Sequence, residues 1–329
     1  MKRNYYMVCL VFMTFFVISF ITNILGALIP DIQRSFRLSY SMVAFLPFSF
    51  FIAYGVMSIP AGVFVEHSGE RRSMLVSFGV AVAGAMLLCL FAGYGVTALY
   101  WIFLLVLLCM VVIVAVSRFP RVALNENERS GTSATYLGLI GTPLVRLYFF
   151  GIFCYVGTEQ GISDWMAEML HRYHGLDTLK EGASALSWYW GLMTAGCAVN
   201  LLLLKLFDST KLLVFFSVLS ILVLGVALWG PVEYALIAWP AMGFTISIMY
   251  SVIFSLALNS VPANHGSFSG ILCTGIAGGA AVPLLIGWVA DHAGLQTGMC
   301  LVFVCLAYIL SIGFWARPLI ANKTIQFTS

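Results

Sequence analysis

Apolar residues in this chain fall in long uninterrupted runs, separated by short clusters of charge, glycine and proline. The runs lie near 5–29, 41–64, 73–93, 97–117, 147–168, 185–206, 212–230, 234–258, 266–290 and 297–316. About 20 apolar residues at 1.5 Å per residue match the hydrocarbon thickness of a bilayer. The runs do not alternate between apolar and polar positions, and open strand edges cannot be satisfied in lipid. The pattern therefore predicts ten membrane-spanning helices rather than barrel strands.

Composition agrees with that solvent. Of 329 residues 61% are apolar and 9% charged, and the mean hydropathy is +1.01. Soluble domains carry about 25% charged residues, so this chain could not clothe a surface in water. A soluble enzyme, a nucleic-acid module and a secreted disulfide scaffold are excluded. Cys9, Cys89, Cys109, Cys154, Cys197, Cys273, Cys300 and Cys305 all sit inside apolar runs without metal-like or disulfide-like spacing and read as small core residues. Lys2 and Arg3 precede the first run with no small-residue cleavage site, so that run is expected to stay as the first span.

The charges are unevenly distributed between the two sides. With a cytoplasmic N-terminus, one side receives Lys2, Arg3, Arg71, Arg72, Arg118, Arg121, Arg129, Arg146, Lys205, Lys211, Arg317 and Lys323, and the other Arg34, Arg37, Arg172 and Lys180. Twelve against four is a strong positive-inside bias and predicts both termini in the cytoplasm of an inner-membrane protein. The longest polar connection, residues 118–146, then becomes a cytoplasmic linker. It divides a four-helix bundle (1–117) from a six-helix bundle (147–329).

One cytoplasmic loop carries a motif with a mechanical reading. In Gly62, Glu66, Gly69, Arg71 and Arg72, the first glycine lets helices approach and the acid can bond a neighbouring helix end. The second glycine permits a tight turn, and the arginines face the anionic leaflet. Such a hinge can gate a conformational change, although an ordinary positive-inside turn would also explain the arginines. The spacing returns at Gly287, Asp291 and Gly294, and more weakly as Leu204, Lys205, Asp208 and Lys211. Its recurrence suggests internal repeats, as in secondary transporters.

These loops and several longer stretches resemble the major facilitator superfamily and, within it, the fucose permease-like branch of sugar transporters. The stretches are Thr22 to Pro30, Gly62 to Arg72, Tyr148 to Gly161, Ser247 to Asn259, His265 to Gly279 and Pro283 to Asp291. The resemblance implies an all-α membrane protein with a major facilitator-like bundle and uptake of a small neutral sugar by alternating access. That family has twelve helices in two halves of six, whereas ten are read here, four plus six. Arg118 to Arg121 resembles the stretch that follows the family's sixth helix. The family's fourth and fifth helices are therefore expected to be missing, with a junction near Ala92 to Leu99. Proton-coupled fucose permeases carry an acid where this chain has Gly26, and a second on the fourth helix. Their coupling mechanism is not carried over.

Polar side chains inside spans are costly, about 2.5–3.5 kcal/mol for a charge on insertion scales, and so mark function. Glu159, 13 residues beyond Arg146, is the foremost candidate for substrate or cation contact. Asp164 and Glu168 lie nearer the outer end, where snorkelling would make them cheap. Sugar recognition calls for amide and carboxylate groups beside an aromatic face. Asn23, Glu159, Gln160, Trp188, Asn200 and Tyr250 supply that chemistry, with Glu159 and Asp164 as coupling candidates. Trp188 and Trp190 read equally well as interfacial aromatics, and Asn200 and Asn259 as interhelical glue. Gly275, Gly278, Gly279 and Pro283 read as close helix packing or as a rocking contact. His171, His174 and Asp177 read as a solvated loop rather than a metal site.

No nucleophile-and-base, phosphate-cradle or zinc pattern is present, so neither enzymatic activity nor a cofactor is expected. The coupling ion, proton or sodium, is left open. The rival reading is a truncated, non-transporting relic or scaffold subunit derived from such a carrier.

Overall fold

The computed structural model describes residues 36–91, 97–116 and 133–319, together with Leu10, Met13, Thr14, Ile29, Pro30 and residues 32–34. The helices are α1 (Tyr40–Ser68), α2 (Glu70–Phe91), α3 (Thr97–Val116), α4 (Ser133–Gly141), α5 (Pro143–His174), α6 (Ala183–Leu206), α7 (Ser209–Trp229), α8 (Val232–Ile246), α9 (Met249–Leu258), α10 (His265–Thr274), α11 (Gly278–Ala293), α12 (Leu295–Met299) and α13 (Leu301–Trp315). A π-helical turn, Thr178–Gly182, leads into α6, and a 3₁₀ turn, Gly275–Ala277, joins α10 to α11.

Among the described residues, six stretches are long and apolar enough to cross a membrane. They are Tyr40–Ser68, Thr178–Leu206, Ser209–Trp229, Val232–Leu258, His265–Ala293 and Leu295–Trp315. A bent pair, Ala134–Gly141 and Pro143–His174 at 86°, makes a seventh when taken as one span. Helices α2 and α3 coincide with the apolar runs at 73–93 and 97–117. The expected run at 5–29 lies largely outside the described residues, as do the junction at 92–96 and residues 118–132 of the expected linker. The total of ten spans is therefore not counted here.

Two departures from the expected pattern have local causes. The expected loop at 118–146 contains α4, where the short apolar run of Ala134, Tyr136, Leu137, Leu139 and Ile140 folds as a helix. Pro143 ends it: the residue before a proline is pushed out of the helical region, and Thr142 is extended at φ −76° and ψ 123°. The run at 234–258 is two helices, because the chain leaves the α-helical pattern between Ile246 and Met249. The cysteines are also less uniform than a core reading implies. Cys109 and Cys197 are exposed, Cys154, Cys273 and Cys300 half-buried and Cys305 buried. In lipid an apolar thiol needs no burial, which removes the constraint that would hide it in water.

The chain divides into two compact units. The first comprises Met1–Ile24 and Pro60–Asn125. In its described part α2 packs on α3 around Phe78, Leu107, Met110 and Val114, and Arg71 donates to the Ala115 carbonyl oxygen. The second unit comprises Leu25–Ile59 and residues 126–329.

The 32-residue α5 runs through the second unit, buried along most of its length from Val145 to Leu170. At 1.5 Å per residue it is about 48 Å long, more than a bilayer core needs. Helix α11 crosses it backbone to backbone: a side chain on Gly278 would collide with the Phe153 carbonyl oxygen. Small residues at such crossings are how membrane helices gain close packing when lipid supplies no hydrophobic drive. That contact sets where the polar face of α5 points.

Candidate functional site

Two polar groupings lie along α5. The first is centred on Glu159, whose Oε1 accepts from Gln160 Nε2 at 3.5 Å. The Tyr189 hydroxyl of α6 donates to the Glu159 carbonyl oxygen at 3.1 Å. Tyr155, one turn earlier on α5, stands beside the carboxylate, which is also within electrostatic reach of Cys197 and Tyr250. Tyr155 meets Tyr250 of α9 ring to ring at 5.6 Å, and Tyr250 stacks on Phe254 at 5.8 Å. Gln160 is 6% exposed and, with the Phe51 ring of α1, occupies the space beside Gly279 where a side chain would stand. An acid, an amide and aromatic faces from α1, α5, α6 and α9 thus meet in one place, the set of groups that hydroxyl-bearing ligands require.

Of the residues expected to contact substrate, this grouping contains Glu159, Gln160 and Tyr250. Asn200 is buried and donates through Nδ2 to Ser247 Oγ at 2.8 Å, tying α6 to the end of α8, while its Oδ1 has no hydrogen-bond partner. Trp188 is 64% exposed and lines a shallow surface cavity of about 310 Å³ with Lys180, Glu181, Ser184, Leu236 and Pro240, apart from the Glu159 grouping. Asn23 lies outside the described residues. Tyr155 and Tyr189 are the additions. Tyr155 could have been found four residues before Glu159, where a helix places it on the same face. Nothing in the sequence marks Tyr189.

The second grouping closes the end of α5 that the charge bias assigns to the outside. Glu168 accepts from Arg34 Nη2 at 3.4 Å and from the Tyr40 hydroxyl at 3.4 Å, and Arg172 donates to the same hydroxyl. Arg34 also reaches Thr178 Oγ1 at 3.2 Å. Asp291, at the end of α11, accepts from the backbone N–H groups of Tyr40 at 2.8 Å and Ser41 at 3.0 Å, and from the Ser41 hydroxyl. It therefore caps the N-terminus of α1, where orphan donors and the helix dipole favour an anion. The expectation that Asp164 and Glu168 snorkel is corrected: they are 2% and 8% exposed. Both face packed helices, and the Arg34 side chain comes to Glu168 rather than the acid reaching outward.

The residues expected to gate divide between the units. Gly69 has φ +80°, the turn its glycine predicts, while a Cβ on Gly62 would meet no atom of the described residues within 4 Å. Asp208 caps its own helix, α7, accepting from the backbone N–H groups of Thr210 and Lys211 and from the Thr210 hydroxyl. Partial burial pushes the Asp208 carboxyl up, but these donors outweigh it and hold its pKa below the ordinary value. Asp177, in the loop with His171 and His174, accepts from the backbone N–H groups of Leu179 and Lys180, which hold its pKa below the ordinary value. His171 Nδ1 bonds the Leu176 carbonyl oxygen at 2.7 Å.

Comparison with known proteins agrees with this architecture. The profile of the Major Facilitator Superfamily matches residues 11–99. A glucose/galactose transporter of Brucella abortus biovar 1 (strain 9-941) is 27% identical over 376 residues, covering 91% of each chain. A putative glucose/galactose transporter of Helicobacter pylori (strain J99 / ATCC 700824) is 24% identical, covering 90% of this chain and 93% of its own. Among solved structures, the E. coli fucose:proton symporter FucP matches with TM-score 0.56 at 18% identity, over 93% of this chain and 91% of that one. A bacterial homolog of the human lysosomal transporter Spinster, inward-facing and unoccupied, matches with TM-score 0.59 at 13% identity, over 96% and 98%. These findings support a multi-pass membrane protein with the fold of the Major Facilitator Superfamily. The relatives named as glucose/galactose transporters are similar over nearly the whole chain, and FucP shares its fold.

Proposed function

We propose that the chain is a secondary transporter that takes up a small neutral sugar, of the hexose or fucose class, by alternating access across the cell's inner membrane. The observation that carries this is the meeting of Glu159, Gln160, Tyr155 and Tyr250 within membrane-length helices. The relatives named as glucose/galactose transporters and the neighbour named as a fucose:proton symporter support the substrate class and a cation as co-substrate. In this reading both termini are cytoplasmic. Residues 1–117 and 147–329 are the four- and six-helix bundles, and 118–146 is the connection, now with α4 inside it. Gly62, Glu66, Gly69, Arg71, Arg72, Asp208 and Lys211 act at the cytoplasmic gate. Trp188 and Asn200 join the substrate contacts in other states of the cycle, and Asn23 is kept among the substrate contacts.

The expected absence of two helices has independent support. An alignment of 376 residues that takes up 91% of this 329-residue chain, about 300 residues, leaves on the order of 75 positions of the Brucella relative unmatched. Two spans of about 20 residues with their connections fit in that length. The same observation favours the second reading, a non-transporting relic or scaffold.

The test is Glu159→Gln in reconstituted protein. Sugar exchange is expected to fall at least about tenfold, the loss of one charge-assisted hydrogen bond of ~1.5–3 kcal/mol. Exchange at the wild-type rate would remove Glu159 from the site.

A further inference from the structure

Gln160, Asp164 and Glu168 follow one another at steps of four on α5, about 6 Å apart along the axis, and therefore share a face. All three are buried, at 6%, 2% and 8% exposure. The stripe joins the two groupings described above. Its upper member, Glu168, is answered by Arg34 and Tyr40, and its lower member, Gln160, by Glu159. Among the described residues the middle member is not answered: Asp164 Oδ2 is buried with no hydrogen-bond partner.

Among the described residues Tyr189 of α6 faces Asp164 from a packed helix, and Glu159 and Glu168 flank it on α5. On the other elements packed against α5, Asp291 is occupied at the α1 terminus, and Lys180, Lys205, His265 and His292 make no ion pair with Asp164. A carboxylate stripped of water with no cation beside it is the species hydrocarbon tolerates least, and intramembrane acids of this kind mark ion pathways. Hydration of Asp164 from outside requires the cluster immediately above it to part.

We propose that Asp164 is the proton-binding carboxyl of the carrier, loaded from the outer side when the Arg34–Glu168–Tyr40 cluster opens. The proposal rests on the carrier reading and assigns the proton and the sugar to different side chains, Asp164 and Glu159. In the loading step an outer water proton adds to a carboxylate oxygen, giving the neutral acid. After the carrier turns, that O–H bond breaks and the proton leaves to cytoplasmic water, so the proton gradient is the only co-reactant. The neutral form is free to cross with sugar, whereas the bare anion resists sealing. That difference is what couples the two fluxes.

The experiment uses the full chain in liposomes with labelled glucose, galactose and fucose, and compares wild type, Asp164→Asn and Asp164→Glu. An inward gradient of about one pH unit can drive about tenfold accumulation at one proton per sugar, since one unit is a tenfold ratio of proton activity. Wild type is expected to accumulate on that gradient. Asp164→Asn is expected to equilibrate without accumulating, while exchanging internal for external sugar within about twofold of wild type, because an amide mimics the neutral acid. Asp164→Glu is expected to regain part of the accumulation. Accumulation by Asp164→Asn at the wild-type level would overturn the proposal. Loss of exchange as well in a variant that elutes as wild type, or wild-type accumulation on a sodium gradient alone, would equally overturn it. Absence of exchange in wild type would instead remove the carrier reading, and the assignment with it.

Discussion

Two short segments of this chain share one spacing, glycine, acid four residues on and glycine three beyond that, and they differ at the first glycine. At Gly287, Asp291 and Gly294 every position performs the task its chemistry allows. A Cβ on Gly287 would lie 2.8 Å from the Tyr40 carbonyl oxygen, Asp291 caps α1, and Gly294 turns with φ +87°. At the other copy Gly69 likewise turns, with φ +80°, whereas a Cβ on Gly62 would meet no atom of the described residues within 4 Å. Asp208 is a third case, an acid that caps its own helix rather than a neighbour's. A motif of this kind is a contact that a helix end can make or release.

The difference can be broken most forcefully at the glycines. Gly287→Leu puts side-chain atoms where the Tyr40 backbone stands, and overpacking of this kind costs ~1–3 kcal/mol. The thermal midpoint of the detergent-solubilised variant should fall by several degrees. Gly62→Leu should leave it within a degree or so, since nothing surrounds that position. Equal losses at the two sites would abolish the distinction.

A smaller effect is expected from the acid. Asp291→Ala removes an N-cap, ordinarily worth ~0.5–2 kcal/mol. It should also raise the reactivity of a cysteine placed at Ser41 towards an impermeant maleimide. Unchanged stability and labelling would mean that the contact holds nothing closed.

The smallest effect belongs to Asp208, whose Ala variant should lose ~1 kcal/mol or less from its half-buried cap. The sign of its pH dependence follows from a carboxyl held below its ordinary pKa. The stabilisation is present above the unfolded value of about 4 and is lost as the pH falls through the lower folded value. Thermal midpoints of wild type and Asp208→Ala should therefore converge in acid. A gap that widens there would reverse the assignment.

The helices were legible because membrane insertion writes them as long apolar runs, and the runs from 41–64 onward coincide with described helices. Helix α4 was hidden because its apolar stretch is short and sits in a connection dominated by charge, although Pro143 marked its end. The division of 234–258 left no trace in composition. At the candidate site, Glu159 and Gln160 stood out as costly residues in a span. Tyr155 and Tyr189 did not, because fourteen tyrosines of one type cannot be ranked without knowing which helices meet. Long-range pairs were invisible for the same reason. Ser247 is 47 residues from Asn200, and Arg34 is 134 from Glu168, so neither the amide's engagement nor the burial of Glu168 could be read from local sequence.

The central claim is that these stranded polar groups serve a sugar in transit. It meets its most direct test in counterflow: purified full-length protein in liposomes preloaded with unlabelled glucose, galactose or fucose, and given the labelled sugar outside with no ion gradient. The account predicts a transient, saturable overshoot of label for at least one of these sugars, suppressed by excess unlabelled sugar outside. Label entry no faster than in protein-free liposomes for all three would contradict it.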